Sequence, residues 1–476
     1  MSRLTSHCFF LFGCLWLLGL GGCGADAETD NETKLTPKPV RSVELDVLII
    51  DDQQLGSVFK RQFGSRRNGV ANINEMTWQE FRDGNYQAAL ENDLLVYPSW
   101  RLGEMASRGL LEEITSGNSR LDEGRTRALL VSDRNQAVEW GRKQVAMSLG
   151  QSQWVALYRT DVLEKLEMKV PRTWEEFNRL AEQIAQIKGD DLPKRIAFPL
   201  QGHWASASLL VRVVAAIRIS GKYSSLFNVK TLEPQIDTEP FILSLQAMQK
   251  QLAPAEEPLN PKQVLAAYAN GELAIAVVPI NHHWLSAEGV GKFPPTDLGP
   301  IPGWPEVFDP SRDTWNALPQ GANVSVPLAG TTGMLVSASS SSEKIRDSIE
   351  VMDWMTEKQM SSVLSSESEN TGISRKVHLG SLERWLGENI DSKNGSAFVD
   401  YINELNGSRR IMHFLRIPAA DQYLDLLDEA VRESVLQKSN VVKALTGAAQ
   451  GWTKINNQLG VDSQKSAYRK SVGLGR

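Results

Sequence analysis

Cysteine is nearly absent from this chain: Cys8, Cys14 and Cys23 all fall at its beginning, and none follows. The remainder therefore holds no disulfide, no zinc ribbon, no redox Cys-x-x-Cys pair and no cysteine nucleophile. A basic run is missing as well. With 51 Lys and Arg against 57 Asp and Glu, the formal charge is -6. That balance gives no electrostatic footprint for nucleic acid, which needs a concentrated basic face. Beyond the first two dozen residues no window offers the roughly 20 apolar residues a membrane span needs. Histidine is scarce, and of the six only His282 and His283 are adjacent. Neighbouring side chains on a strand point to opposite faces, so no metal site is expected, and no cofactor either. The Gly-x-Ser-x-Gly elbow, the His-Glu-x-x-His zinc motif and the phosphate-binding P-loop are all missing. No internal repeat stands out.

What is present begins with an address. Residues 9–20 form an apolar run after Arg3 and His7. As a helix these twelve residues would rise roughly 18 Å, short of the ~30 Å hydrocarbon core. Residues 1–22 thus read as a leader. The run ends in Leu20-Gly21-Gly22-Cys23, which resembles the lipobox of bacterial lipoproteins. The resemblance implies cleavage before Cys23 and acylation of that residue, a stable anchor at ~0.8 kcal/mol per buried methylene. A plain secretory leader with a chance cysteine is the alternative. Residues 23–41 are polar and read as a tether. The chain is thus expected to be exported and lipid-anchored in the periplasm, to the inner or the outer membrane.

The 476-residue length exceeds one small core and suggests two lobes. Val43–Ile50 begins with alternation and ends as a continuous apolar run, the pattern of a strand entering a covered parallel sheet. Asp51-Asp52 ends it, and Leu55, Val58, Phe59 and Phe63 recur at helical spacing. A second strand over 93–97 breaks at Pro98; a helix over 101–108 and Gly109 in a stop position follow. Thr173 and Glu176 form a capping box, with Trp174, Phe177, Leu180, Ala181, Ile184 and Ile187 on one face. Helical signals dominate from there to about 270. Ala274–Pro279 and Gly333–Val336 read as strands, 291–330 as an extended loop rich in Pro and Gly. The end is helical, with stripes at Leu424, Leu427, Val431, Val435 and at Leu445, Ala448, Trp452, Ile455, Leu459. Strands alternating with helices predict an α/β fold.

Several segments, in order, resemble the extracellular solute-binding proteins of ABC importers, the branch that carries sugars and oligosaccharides. They are Tyr97-Pro98-Ser99-Trp100 with Ser107–Ile114, Trp154–Phe177, Tyr268–Ile275, Gly330–Ser337 and Val431–Ile455. The likeness covers nearly all of the chain after the tether, and the stretch ending Thr173-Trp174-Glu175-Glu176-Phe177 is its most specific part. Arg159-Thr160 departs from the family's Tyr-Asn, and 303–325 looks like an insertion. The resemblance implies the two-lobed, type II-like periplasmic-binding-protein fold with a helical C-terminus. Residues 42–153 and 303–366 would form lobe 1, 154–302 and 367–476 lobe 2. Crossings are expected near 153–156, 296–303 and 365–372. It further implies a monomer that holds a small carbohydrate between the lobes and passes it to membrane permease subunits.

In open α/β sheets, ligands bind beyond the carboxyl ends of strands. That rule selects Asp51, Asp52, Ser99 and Trp100 in lobe 1, and Gln151, Ser152, Gln153 and Trp154 at the first crossing. In lobe 2 it selects Gln201, His203, Trp204, Asn281, His282 and Trp284; Thr331 and Thr332 between glycines complete the set. Carboxylates and amides suit vicinal hydroxyls, and indole faces suit the apolar face of a pyranose. Against this, Asp51 and Asp52 could simply cap the next helix, and Gln151–Gln153 could be a hinge turn. Trp174 and Trp452 read as core. Two other functions stay open. One is an envelope scaffold or sensor with the same fold and no transport. The other is a glycan-acting enzyme using Asp51 and Asp52 as acid and base.

Overall fold

The computed structural model describes residues 43–475, apart from 67–68, 115–127, 190, 219–222, 253–256, 320–324, 382–385, 387–388 and 408–409. The expected leader, tether and acylated Cys23 lie outside the described residues.

Among the described residues, nine strands build the two larger sheets: β1 (Val43–Ile50), β2 (Gly69–Met76), β3 (Leu94–Pro98), β4 (Met147–Ser148), β5 (Gln153–Arg159), β6 (Arg195–Ala197), β7 (Leu273–Ile280), β8 (Thr296–Gly299) and β9 (Met334–Ala338). The first sheet has the order β2-β1-β3-β9-β4, and the second β8-β5-β7-β6. In the first, β1 runs parallel to β2 and β3, pairing Val47 with Leu94 and Ile49 with Val96. Strand β9 returns antiparallel between β3 and β4. In the second, β5 is antiparallel to β7 and β8, and β6 is parallel to β7.

The apolar run of β1 has a direct cause, since the strand is covered on both faces. Val43, Leu45, Val47 and Ile49 join Leu55, Val58, Phe59 and Phe63 of helix α1 (Gln53–Arg66) in one core cluster. Leu48 and Ile50 turn the other way, to Trp78, Phe81 and Tyr86. Burying each such side chain is worth about 1.5–3 kcal/mol. Helix α2 (Trp174–Ala185) starts on the expected capping box: Glu176 N donates to Thr173 Oγ1 at 3.0 Å, and Thr173 N to the Glu176 carboxylate at 3.3 Å. Its buried face packs on helix α3 (Trp204–Ile217), where the fully buried Arg212 guanidinium lies 4.3 Å from the Trp174 ring. Helices α4 (Ala420–Leu436), α5 (Val441–Leu459) and α6 (Val461–Ser471) close the chain. Trp174 and Trp452 are both fully buried.

One expectation needs revision. The stretch 291–330 is not a plain loop: it contains β8 and a hairpin of Glu306–Asp309 with Thr314–Ala317. Its strands are too short for alternation to show between the prolines and glycines. That hairpin packs against helix α3 and the helix Glu239–Gln251. Trp304 Nε1 donates to Arg212 O at 2.7 Å, and Trp315 Nε1 to Glu239 at 2.8 Å. The chain enters the first sheet only after Gly330–Gly333.

Candidate functional site: the cleft between the lobes

Three segments pass between the sheets. Gly150 links β4 to β5, Gly330–Gly333 leads into β9, and Ser368–Ile373 follows the helix Lys358–Glu367. They press together as bare backbone: a Cβ on Gly150 would stand 2.1 Å from the Gly372 carbonyl oxygen, and Gly150 has φ +96°. Only glycine fits such an approach.

The polar candidates gather around these crossings and satisfy one another. Gln151 Nε2 donates to Ser132 O at 3.0 Å, and its Oε1 accepts from Gly330 N at 2.6 Å. Ser152 N donates to Thr332 Oγ1 at 2.9 Å, and Trp154 Nε1 to Thr331 Oγ1 at 3.1 Å. Ser99 Oγ donates to Thr332 O at 3.1 Å. Gln153 Nε2 reaches Gln151 O at 3.4 Å. Asn281 Nδ2 donates to Ser152 Oγ (3.2 Å) and Glu369 O (2.7 Å), while its Oδ1 caps the next turn through Trp284 N at 2.8 Å. Buried amides and hydroxyls must be satisfied in this way. Here they hold the hinge.

Asp51 and Asp52 divide their work. The Asp51 carboxylate accepts from Trp78 N at 2.7 Å. Asp52 Oδ1 caps α1 through Leu55 N at 2.7 Å, and Oδ2 accepts from Ser368 Oγ at 2.8 Å. Burial pushes the Asp52 carboxyl above its ordinary range, against the pull of those donors. The helix-cap alternative thus describes Asp52.

The aromatic candidates form a wall between the lobes. Trp100, at the end of β3, lies 5.9 Å from the His203 ring, which lies 4.8 Å from Trp204. Trp204 in turn meets Trp284 edge-on at 5.8 Å and Trp154 at 6.1 Å. Burial drops the His203 imidazole to about 4, and the positive Arg101 pushes the same way, so this wall carries no cation at neutral pH through His203. Gln201 is exposed. His282 and His283 fall on a short helical turn, not a strand. His282 faces Ser286 at 3.4 Å, and it is His283 that reaches Gln54 of the first lobe, also at 3.4 Å. Ser99, Trp100 and Gln151 border, with Phe414 and Arg416, a cavity of about 20 Å³, room for a water.

The sequence reading missed Arg101. Its guanidinium lies between the Trp78 and Trp100 rings, at 4.1 and 3.7 Å. Asp421 of α4 meets it at 3.4 Å and meets Arg82 at 3.1 Å. Burial lowers Arg101 to about 10, with Asp421 opposing. Arg101 follows Trp100 at the same strand end, so the strand-end rule could have found it. Nothing in the sequence marks Asp421.

Two sheets joined by three crossings, with the antiparallel β9 inserted beside β3, define the two-lobed periplasmic-binding-protein fold of type II-like order. Solved structures share it. A solute-binding protein of an ABC transporter from Agrobacterium radiobacter K84, in complex with ribitol, superposes with a TM-score of 0.61 at 12% identity, covering 88% of this chain and 100% of that one. The maltose-bound MalE3 of T. maritima gives 0.60 at 14% identity, covering 87% and 100%. No family model matches the chain, and none of the curated proteins does.

Proposed function

We propose that this chain captures a sugar or oligosaccharide between its lobes and delivers it to an ABC importer, as a periplasmic monomer tethered through acylated Cys23. The observation that carries this is the aromatic wall. Trp100, just after β3, and His203 with Trp204, at the start of α3, meet between the lobes, where indole faces can stack on a pyranose. The ribitol and maltose held by proteins of this fold agree in chemical class. Because Trp100 and His203 already touch, the lobes must part to admit a ligand, and a ligand touching both then favours closure.

The test is a thermal-shift screen of mono- and oligosaccharides and polyols. A ligand at 100 times its Kd adds about 2.7 kcal/mol of stability, and Trp204→Ala or Trp100→Ala should remove that gain. An unchanged gain in both variants would take these side chains out of the site, and no shift with any carbohydrate would remove the sugar assignment.

The envelope scaffold or sensor reading has an observation of its own. The lobes are fastened by Asn281 to Glu369 O and by Arg101 to Asp421. X-ray scattering that shows one invariant shape with every solute would favour it. The enzyme reading loses ground, because Asp51 and Asp52 turn to different partners instead of one shared bond.

A further inference from the structure

We propose a second ligand site, behind the hinge and separate from the aromatic wall, that takes a small aliphatic α-amino acid. Its basis is a cavity of about 140 Å³ where the crossing segments leave the first lobe. That volume is close to the ~150 Å³ cavity known to hold benzene.

The walls carry three kinds of group. Arg134, Lys358 and Arg375 supply cations, Glu139, Asp353 and Glu357 carboxylates beside the buried Asp133, and Leu129, Val138 and Met147 an apolar patch. Arg134 is half-buried, but its Nε is shielded from solvent and makes no hydrogen bond among the described residues, a cost carried by that one donor. A carboxylate answers it best, because the planar fork matches two carboxylate oxygens. A bare anion would also face Glu139, Asp353 and Glu357, so an ammonium on the same ligand balances them. The aliphatic patch then takes a short apolar side chain.

The cavity is wired to the hinge. Asp133, fully buried in its wall, accepts from Ser148 Oγ and Ser132 Oγ, both at 2.6 Å. Ser132 O receives Gln151 Nε2, whose Oε1 holds Gly330 N. Leu130 N donates to Ser374 O at 2.8 Å, and Leu129 bridges to Arg375, just after the third crossing. A ligand here touches segments on both sides of the hinge.

The experiment is calorimetry and saturation-transfer NMR on the soluble chain with L-valine, isobutyrate (no ammonium) and isobutylamine (no carboxylate). L-valine should bind while the two truncated analogues fail. Arg134→Ala should weaken it at least about tenfold, near 1.4 kcal/mol, and Val138→Phe, which fills the space, should abolish it. Trp204→Ala should leave it unchanged, so failure here and failure of the sugar reading are told apart. No binding at millimolar L-valine overturns the proposal. Equal binding of isobutyrate overturns it too, and so does binding that survives Arg134→Ala and is lost in Trp204→Ala.

Discussion

The lobes are joined in two unlike ways. At the crossings, backbone meets backbone: glycines at Gly150 and Gly372 let carbonyls approach, and Gln151, Ser152, Asn281, Thr331 and Thr332 satisfy one another in full burial. At the latch, long side chains from different lobes meet: Arg82, and Arg101 seated between the Trp78 and Trp100 rings, hold Asp421. The first contact has no tolerance for added atoms and little access for water. The second is partly exposed, with Arg82 at 39% side-chain exposure, so solvent weakens it. A hinge should be stiff and local, a latch cheap to open. These two contacts have those properties, and each prediction tests the contrast.

The largest effect should come from Gly150→Ala. A left-handed residue with a Cβ directed at the Gly372 carbonyl carries both backbone strain and a clash, so a loss of about 3–5 kcal/mol is expected. Urea denaturation measures it. A loss below about 1 kcal/mol would mean the crossings are not tightly apposed.

Next comes the pH dependence of α4, which serves both lobes. Asp421 faces the first lobe, and Asp428, seven residues on, accepts from Ser206 N at 2.6 Å in the second. Burial pushes Asp428 up to about 7, and Asp133 to about 6. A raised carboxyl means the folded state holds a proton that the unfolded chain has released. Stability from these groups is greatest at low pH and is lost as pH rises through their folded values, by a few kcal/mol at most. Asp428→Asn keeps an acceptor for Ser206 N but cannot ionise. The variant should therefore be more stable than the parent above about pH 7 and show a shallower fall from pH 5 to 8. Parallel melting curves for the two proteins would refute the shift. Asn281→Ala should cost about 2 kcal/mol, from a lost helix cap and orphaned partners at Ser152 and Glu369; chemical denaturation decides.

How much of this was legible follows from how local each cause is. The run Val43–Ile50 announced a doubly covered strand, and Thr173 with Glu176 announced a helix start, because both signals lie within a few residues. The strand-end rule brought out Ser99, Trp100 and Asn281 for the same reason. It could not tell hinge from ligand contact, since that depends on which segment from far along the chain lies opposite. Asp421, Asp425 and Asp428 look in sequence like a solvated helix face. Only the fold puts Asp421 against Arg101 and turns Asp428 inward. The hairpin at 306–317 escaped because four-residue strands give too little periodicity.

The smallest energetic effect should have the clearest effect on shape. Asp421→Asn removes the anion that Arg82 and Arg101 share and keeps a neutral oxygen for them, so the cost in stability is about 0.5–1 kcal/mol. If this contact is a latch, the lost attraction acts mainly on the equilibrium between parted and closed lobes, because the contact Asp421 makes within its own helix, from Gln422 N at 3.1 Å, is one an Asn oxygen can keep. Small-angle scattering should then show a larger radius of gyration than the parent, with a smaller difference at high salt, where the parent's ion pair is itself screened. The hinge variants behave differently, since their damage appears as unfolding without a stable open form. An Asp421→Asn protein as compact as the parent at low salt would mean that the aromatic wall and the Asn281 to Glu369 contact hold the lobes together without it, and Arg101 would then be a packed cation instead of half of a latch.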